Sequence, residues 1–265
     1  MHGCCVSKIP CHRTCRRSND REARALALMT TLSPDQVIAA QKAAVDASQV
    51  SSRHKLAKYA AQKFSVVGEE LYAVGHIFGG DHAAGESPHG HGSDEIVAVS
   101  LLLRIAGQLI GASESLFRDG HAYAAAALIR QMVEIEYLAW AFHTRDKDAE
   151  RWLRSDAEER RKFFTPAKLR AAAQGKFRGQ DYGYHCELGG HPVPGAEILF
   201  RSEGFTAQLL LSDLLGHAGR IWDHLVDWSA GTGWAVPIHK RREEMYENFS
   251  AWKKADTLTS LPPPP

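Results

Sequence analysis

From Ser33 to Ala255 the apolar residues of this chain return every three or four positions, and no segment alternates with a period of two. That period belongs to helices, so each long segment carries one apolar face that must be buried against another helix. The stretch 205–229 shows the pattern most fully, with Leu211, Leu214, Leu215, Ala218, Ile221, Trp222, Leu225 and Trp228 on a single stripe. The expected fold is therefore all-α, an antiparallel helical bundle with irregular glycine-rich loops at 79–93 and 175–195.

Local signals set the expected boundaries. Ser33 and Pro34 suit a helix entrance, and Val37, Ala40, Ala44 and Ala47 follow at helical spacing. A second helix is expected over 52–77. Residues 79–93 hold five glycines, Pro88 and three histidines (His82, His89, His91), which read as a loop. Ser93 should cap a helix running to 118, with Asp94 and Glu95 well placed in its first turn. Asp119-Gly120 then turns the chain into a helix over 121–143, so the two should pair as a hairpin. Short helices over 146–155, 157–164 and 166–173, a long one over 205–229 and a last one over 241–255 complete the list. In domain terms, 29–92 reads as an N-terminal helical pair, 93–235 as the core, and 236–265 as a terminal helix with a Pro-rich tail.

Residues 1–28 differ in character. They contain four of the five cysteines (Cys4, Cys5, Cys11, Cys15), with six cations against two anions. Cys11 and Cys15 with His12 read either as half of a zinc site or as part of a disordered or mis-started tail ahead of Met29. The tail reading is adopted, since no second well-spaced ligand pair exists. The remainder has 26 cations and 29 anions, and the whole chain carries +1. This balance excludes a broadly basic nucleic-acid binder, and 44% hydrophobic residues exclude a disordered chain. The longest apolar run, 96–112, is broken by Arg104 and Gln108 and falls short of the roughly 20 residues of a membrane span. Outside the tail only Cys186 is left, so no disulfide framework is expected and a cytoplasmic setting is the default.

Chemistry-bearing residues concentrate in four places. The helix over 121–143 is apolar on most of its circumference, yet Arg130 and Glu134 interrupt it at a spacing that permits an ion pair. That pair either ties the helix to the 175–195 segment or forms the floor of a site. The segment 181–195 gathers His185, Cys186, Glu187 and His191 beside Tyr182 and Tyr184, with Gly189-Gly190 and two prolines shaping the backbone. Metal ligation by His185, Cys186 and His191 and a Cys–His nucleophile pair are both conceivable here; neither has a supporting signature, so no metal and no cofactor are expected. On the late helix, Asp213, His217, Arg220, His224 and Asp227 recur on the face opposite the apolar stripe, as a solvated face or as the lining of a cleft shared with a second copy. The histidines at 76, 82, 89 and 91 form a fourth group suited to weak metal binding.

Three stretches in combination carry a resemblance: Leu128-Ile129-Arg130-Gln131-Met132-Val133-Glu134, Glu150-Arg151-Trp152-Leu153, and Tyr184-His185-Cys186-Glu187-Leu188-Gly189-Gly190-His191-Pro192. Over roughly residues 94–230 the chain resembles the bacterial domain-of-unknown-function 5677 family, which looks like a divergent branch of the HEPN helical bundles. The resemblance implies a compact homodimeric bundle. It also implies a toxin or antiphage enzyme that cuts RNA without metal, using an Arg followed by four to six residues and a His. Arg178 and His185 have that spacing. The candidate catalytic set is accordingly His185, His191, Arg130, Glu134 and Arg178, with RNA as partner and no membrane. Two other readings stand beside it: a non-catalytic interaction or scaffolding bundle with a protein partner, and a small-molecule or nucleotide-binding module walled by Tyr182, Tyr184 and Trp140.

Overall fold

The computed structural model describes residues 34–259 except 146, 147, 178, 202 and 203. Among them are eleven α-helices and no strand: α1 Pro34–Ala44, α2 Ala47–Ile77, α3 Asp94–Arg118, α4 Ala122–Thr144, α5 Asp148–Arg154, α6 Ala157–Phe163, α7 Pro166–Ala172, α8 Gly179–His185, α9 Ile198–Arg201, α10 Phe205–Ser229 and α11 Val236–Ala255. A π-helical turn, Cys186–Gly190, continues α8, and a 3₁₀ turn, Pro194–Glu197, leads into α9. The tail at 1–28, Arg178 and the terminal prolines lie outside the described residues.

Capping follows residue chemistry. Asp46 accepts hydrogen bonds from the Ser48 and Gln49 amides at the start of α2, and Ser93 accepts from the Ile96 amide at the start of α3. Both carry oxygens that satisfy amides left over in a first helical turn. One continuous apolar core then joins α2, α3, α4, α10 and α11 through residues such as Phe64, Leu71, Leu103, Ile110, Ile129, Leu214 and Met245. The helix α3 is long and apolar enough to cross a membrane by length and composition, but most of its apolar stretch is buried in this core.

Helices α2 and α3 approach closely because glycines sit at their seam. A Cβ on Gly68 would lie 3.0 Å from the Ser100 carbonyl oxygen, and one on Gly107 would lie 2.9 Å from the Ala61 carbonyl oxygen. The loop 79–93 between them is held by charge. Arg154 of α5 reaches Asp94 at 2.6 Å and Asp81 at 2.9 Å, and Ser87 donates to Asp94 at 2.7 Å.

The segment 175–195 departs from expectation. It is not an irregular loop: α8, the π turn and the 3₁₀ turn make most of it helical. Its paired glycines read as chain breakers, yet Gly189 serves a packing purpose. A Cβ there would stand 2.4 Å from the Ala127 nitrogen and 2.5 Å from the Ala126 carbonyl carbon. Only a residue without a side chain lets this turn lie against the α4 backbone, and the wider π geometry brings it there.

This contact is directly testable. Gly189→Ala should destabilise the protein by about 1–3 kcal/mol through overpacking against a backbone that cannot yield. Gly195→Ala, with open space around the added methyl, should stay within about 0.5 kcal/mol. Thermal unfolding of the two variants checks the difference.

Candidate functional site

With Gly189 seated on α4, α8 presents side chains in two directions. Tyr182 lies over α4, where its hydroxyl donates to Glu134 Oε1 at 3.0 Å and accepts from Arg130 Nε at 3.3 Å. Arg130 and Glu134 also pair directly at 3.3 Å, with side chains 30% and 34% exposed. The guanidinium of Arg170 lies over the Tyr182 ring at 4.9 Å. Burial pushes the Tyr182 hydroxyl's pKa up, and neighbouring Glu134 pushes it further. The ion pair thus ties α4 to the 175–195 segment, one of the two roles its spacing allowed. His191 closes the π turn in the open, and Cys186 is half-buried.

His185 faces the other way, into the bundle. Its ring is 2% exposed and its Nε2 stands 3.0 Å from Asp213 Oδ2 and 3.4 Å from His217 Nε2, both on α10. His217 is 3% exposed, with Nδ1 2.6 Å from Glu136 Oε2 on α4. Arg220 binds the other oxygen of Glu136 at 2.9 Å. The result is a chain of ionisable groups from α8 through α10 to α4.

The electrostatics are internally balanced. Burial pushes the Glu136 carboxyl up, but hydrogen bonds and charge from His217 and Arg220 bring it below the ordinary range. Burial likewise opposes ionisation of Asp213, and His217, His185 and Arg220 overcome it, holding its pKa at about 2. Tyr184, beside His185 and 47% exposed, has its hydroxyl's pKa raised by desolvation among its neighbours and by the charge of Asp213. The cluster is reached from one side: Asp213 and Arg220 line an open cleft of about 420 Å³ with Ser212, Gly216 and Lys253. Trp140 packs with Phe177 and Tyr137 in a second apolar cluster, against which Tyr182 also lies.

Among the candidates read from sequence, the structure brings Arg130 and Glu134 together with Tyr182, and sends His185 to a different partner set. The polar face of α10 is not solvated as a whole, since His217 and His224 are buried. Burial, and then the charge of Lys176, lower the pKa of His224 to about 4. Glu136 was missed entirely. Its signal was present as a lone acid between Ile135 and Tyr137 on the most apolar helix. In the histidine loop, His76 and His91 meet at 3.3 Å. Among the described residues the one group of three potential metal ligands close enough to share an ion is His185, Asp213 and His217.

Two outcomes follow. Tyr182→Phe keeps the ring and removes the bridge, so unfolding free energy should fall by about 0.5–1.5 kcal/mol. Asp213 has a lowered folded pKa, so its contribution is full above the unfolded value near 4 and lost as pH falls through about 2. Its side chain is 36% exposed, and with solvent screening the contribution should be about 1 kcal/mol. The stability gap between wild type and Asp213→Asn, followed by thermal unfolding, should narrow between about pH 5 and pH 2. No family model, curated protein or solved structure matches this chain.

Proposed function

We propose that this protein is an HEPN-like bundle that cleaves RNA without a metal, with His185 and His217 as its acid–base pair. The observation that carries the reading is the meeting of two buried imidazoles, Nε2 to Nε2 at 3.4 Å, beside Asp213. Cleavage of a phosphodiester by its own 2′-hydroxyl needs one group to accept a proton and another to give one, and a pair of imidazoles supplies both. Helix order supports the bundle assignment. Contacts between α2 and α3 run in opposite sequence order, Gly68 against Arg104 and Gly75 against Ile96, which fits an antiparallel pair.

In this reading the phosphodiester enters at the Asp213–Arg220 mouth. One imidazole takes the proton of the ribose 2′-hydroxyl, whose oxygen attacks the adjacent phosphorus. The bond to the 5′-oxygen breaks, and the other imidazole gives that oxygen a proton. The products are a 2′,3′-cyclic phosphate and a 5′-hydroxyl. Arg220, partly exposed and already fixed on Glu136, braces the charge that builds on the phosphoryl oxygens. His185 keeps the role assigned from sequence, while His217 replaces His191 as its partner. A second copy of the chain, a bacterial cytoplasmic setting and a toxin or antiphage role belong to the same proposal.

A non-catalytic scaffolding role is the second reading. It is favoured by the Arg130–Glu134–Tyr182 group, whose members bond to one another and tie α8 to α4.

Purified protein incubated with total RNA should release fragments ending in cyclic phosphate, equally with and without EDTA. Folded His185→Ala or His217→Ala protein should lose about 10²–10⁴-fold of that rate. His191→Ala should retain it. Absence of cleavage, or cleavage abolished by EDTA, overturns the reading.

A further inference from the structure

We infer that His185, Asp213 and His217 form a binding site for one divalent transition cation of the zinc class. Glu136 holds one of the ligands from outside. The site is the one assigned above to proton transfer. The consequence for cleavage rests on that reading, while the binding itself does not.

The hydrogen bonds within this group cannot all be made while both rings are neutral. His217 Nδ1 faces two groups, Glu136 Oε2 at 2.6 Å and a terminal nitrogen of Arg220 at 2.8 Å; a proton on it serves the carboxylate, the shorter contact. In the neutral ring, Nε2 of His217 then carries a lone pair, and it points at His185 Nε2 and Asp213. His185 Nε2 lies 3.0 Å from one carboxylate oxygen and 3.4 Å from His217 Nε2. A single proton on His185 can serve only one of these neighbours well. The remaining edge leaves lone pair facing lone pair between groups of which the two imidazoles are buried. A cation in the middle removes the conflict, because all three groups then act as donors to it.

The distances fit such an ion. With ligand bonds near 2.0–2.2 Å, ligand atoms around zinc stand about 3.3–3.5 Å apart in a tetrahedron, and closer in a six-coordinate shell. One ligand atom from each residue lies within 4.8 Å of the other two; the nitrogens stand 3.4 Å apart, and Asp213 brings Oδ2 to 3.0 Å from His185 and its other oxygen, Oδ1, to 3.7 Å from His217. Two imidazoles with one carboxylate suit zinc and its first-row neighbours, and leave the Asp213 side for water or a ligand from the cleft. The carboxylate behind His217 completes a carboxylate–histidine–metal arrangement, which fixes the tautomer and strengthens the donor. Charge also agrees: Asp213 supplies one negative charge to the ion, and Glu136 is balanced by Arg220.

Occupation has a functional consequence. A bound cation takes the Nε2 lone pair of both imidazoles, and neither can then move a proton. Zinc is therefore expected to silence RNA cleavage by this protein.

The test uses the full chain, stripped with EDTA and exchanged into chelator-free buffer. Zinc chloride is then titrated in competition with a chromogenic zinc chelator. Wild type should bind one equivalent more than His217→Ala and Asp213→Asn. Glu136→Gln should bind that equivalent about 10–100-fold more weakly. His191→Ala should match wild type. Cysteines of the first 15 residues are common to every variant, so zinc held there cancels. Zinc should raise the unfolding temperature of wild type and not that of Asp213→Asn, whose fold is checked by its own unfolding in EDTA. Equal capacity and affinity in wild type, Asp213→Asn and His217→Ala would overturn the site. The titration decides this even if no RNA is cut. Should zinc bind here while cleavage continues, the proton-transfer reading falls and the cation site stands.

Discussion

The contact between the π turn and helix α4 governs everything described for the site. Gly189 lies so close to Ala126 and Ala127 that no side chain fits between the two backbones. That approach sets the height and rotation of α8. Tyr182 consequently falls over Arg130 and Glu134, while His185, three residues on, turns toward α10. Moving the turn outward by the width of a methyl group would part both groups at once, because both are carried by the same short helix.

The polar groups inside the bundle remain tolerable because they come in compensated sets. A buried charge without a partner is costly, and removing one member of a buried pair costs about 3–5 kcal/mol. Glu136 is met by both His217 and Arg220. Elsewhere Arg53, fully buried, holds Asp256 through Nε at 2.6 Å and a terminal nitrogen at 2.9 Å, and also reaches the Ala44 carbonyl. That second set pins the end of α11 against α1 and α2, so the far side of the cleft is fixed as well. The exception is the meeting of His185, Asp213 and His217, where two imidazole nitrogens and a carboxylate converge and neutral rings cannot serve every contact. Proton transfer and cation binding both draw on that imbalance.

Much of the fold was legible from spacing alone. The stripe on α10 ran from Phe205 to Ser229 as expected, and Ser93 caps α3 as its position suggested. Local chemistry sufficed at these places, because a cap or a 3.6-residue stripe is written within one helix. The segment 175–195 was misjudged for the opposite reason. Glycine is a breaker in isolation, and only contact with α4 turns Gly189 into a packing residue.

The site divides along the same line. Sequence by itself determined that α4 would be central, that Arg130 and Glu134 could pair along it, and that the residues around His185 held the densest chemistry. Each of these depends on neighbours within one turn. Only the tertiary structure decided that His185 would leave that pair and join Asp213, His217 and Glu136. Those residues are separated by up to 81 positions between Glu136 and His217. Helical periodicity reports which face a side chain occupies, and carries no information about which other helix that face will meet.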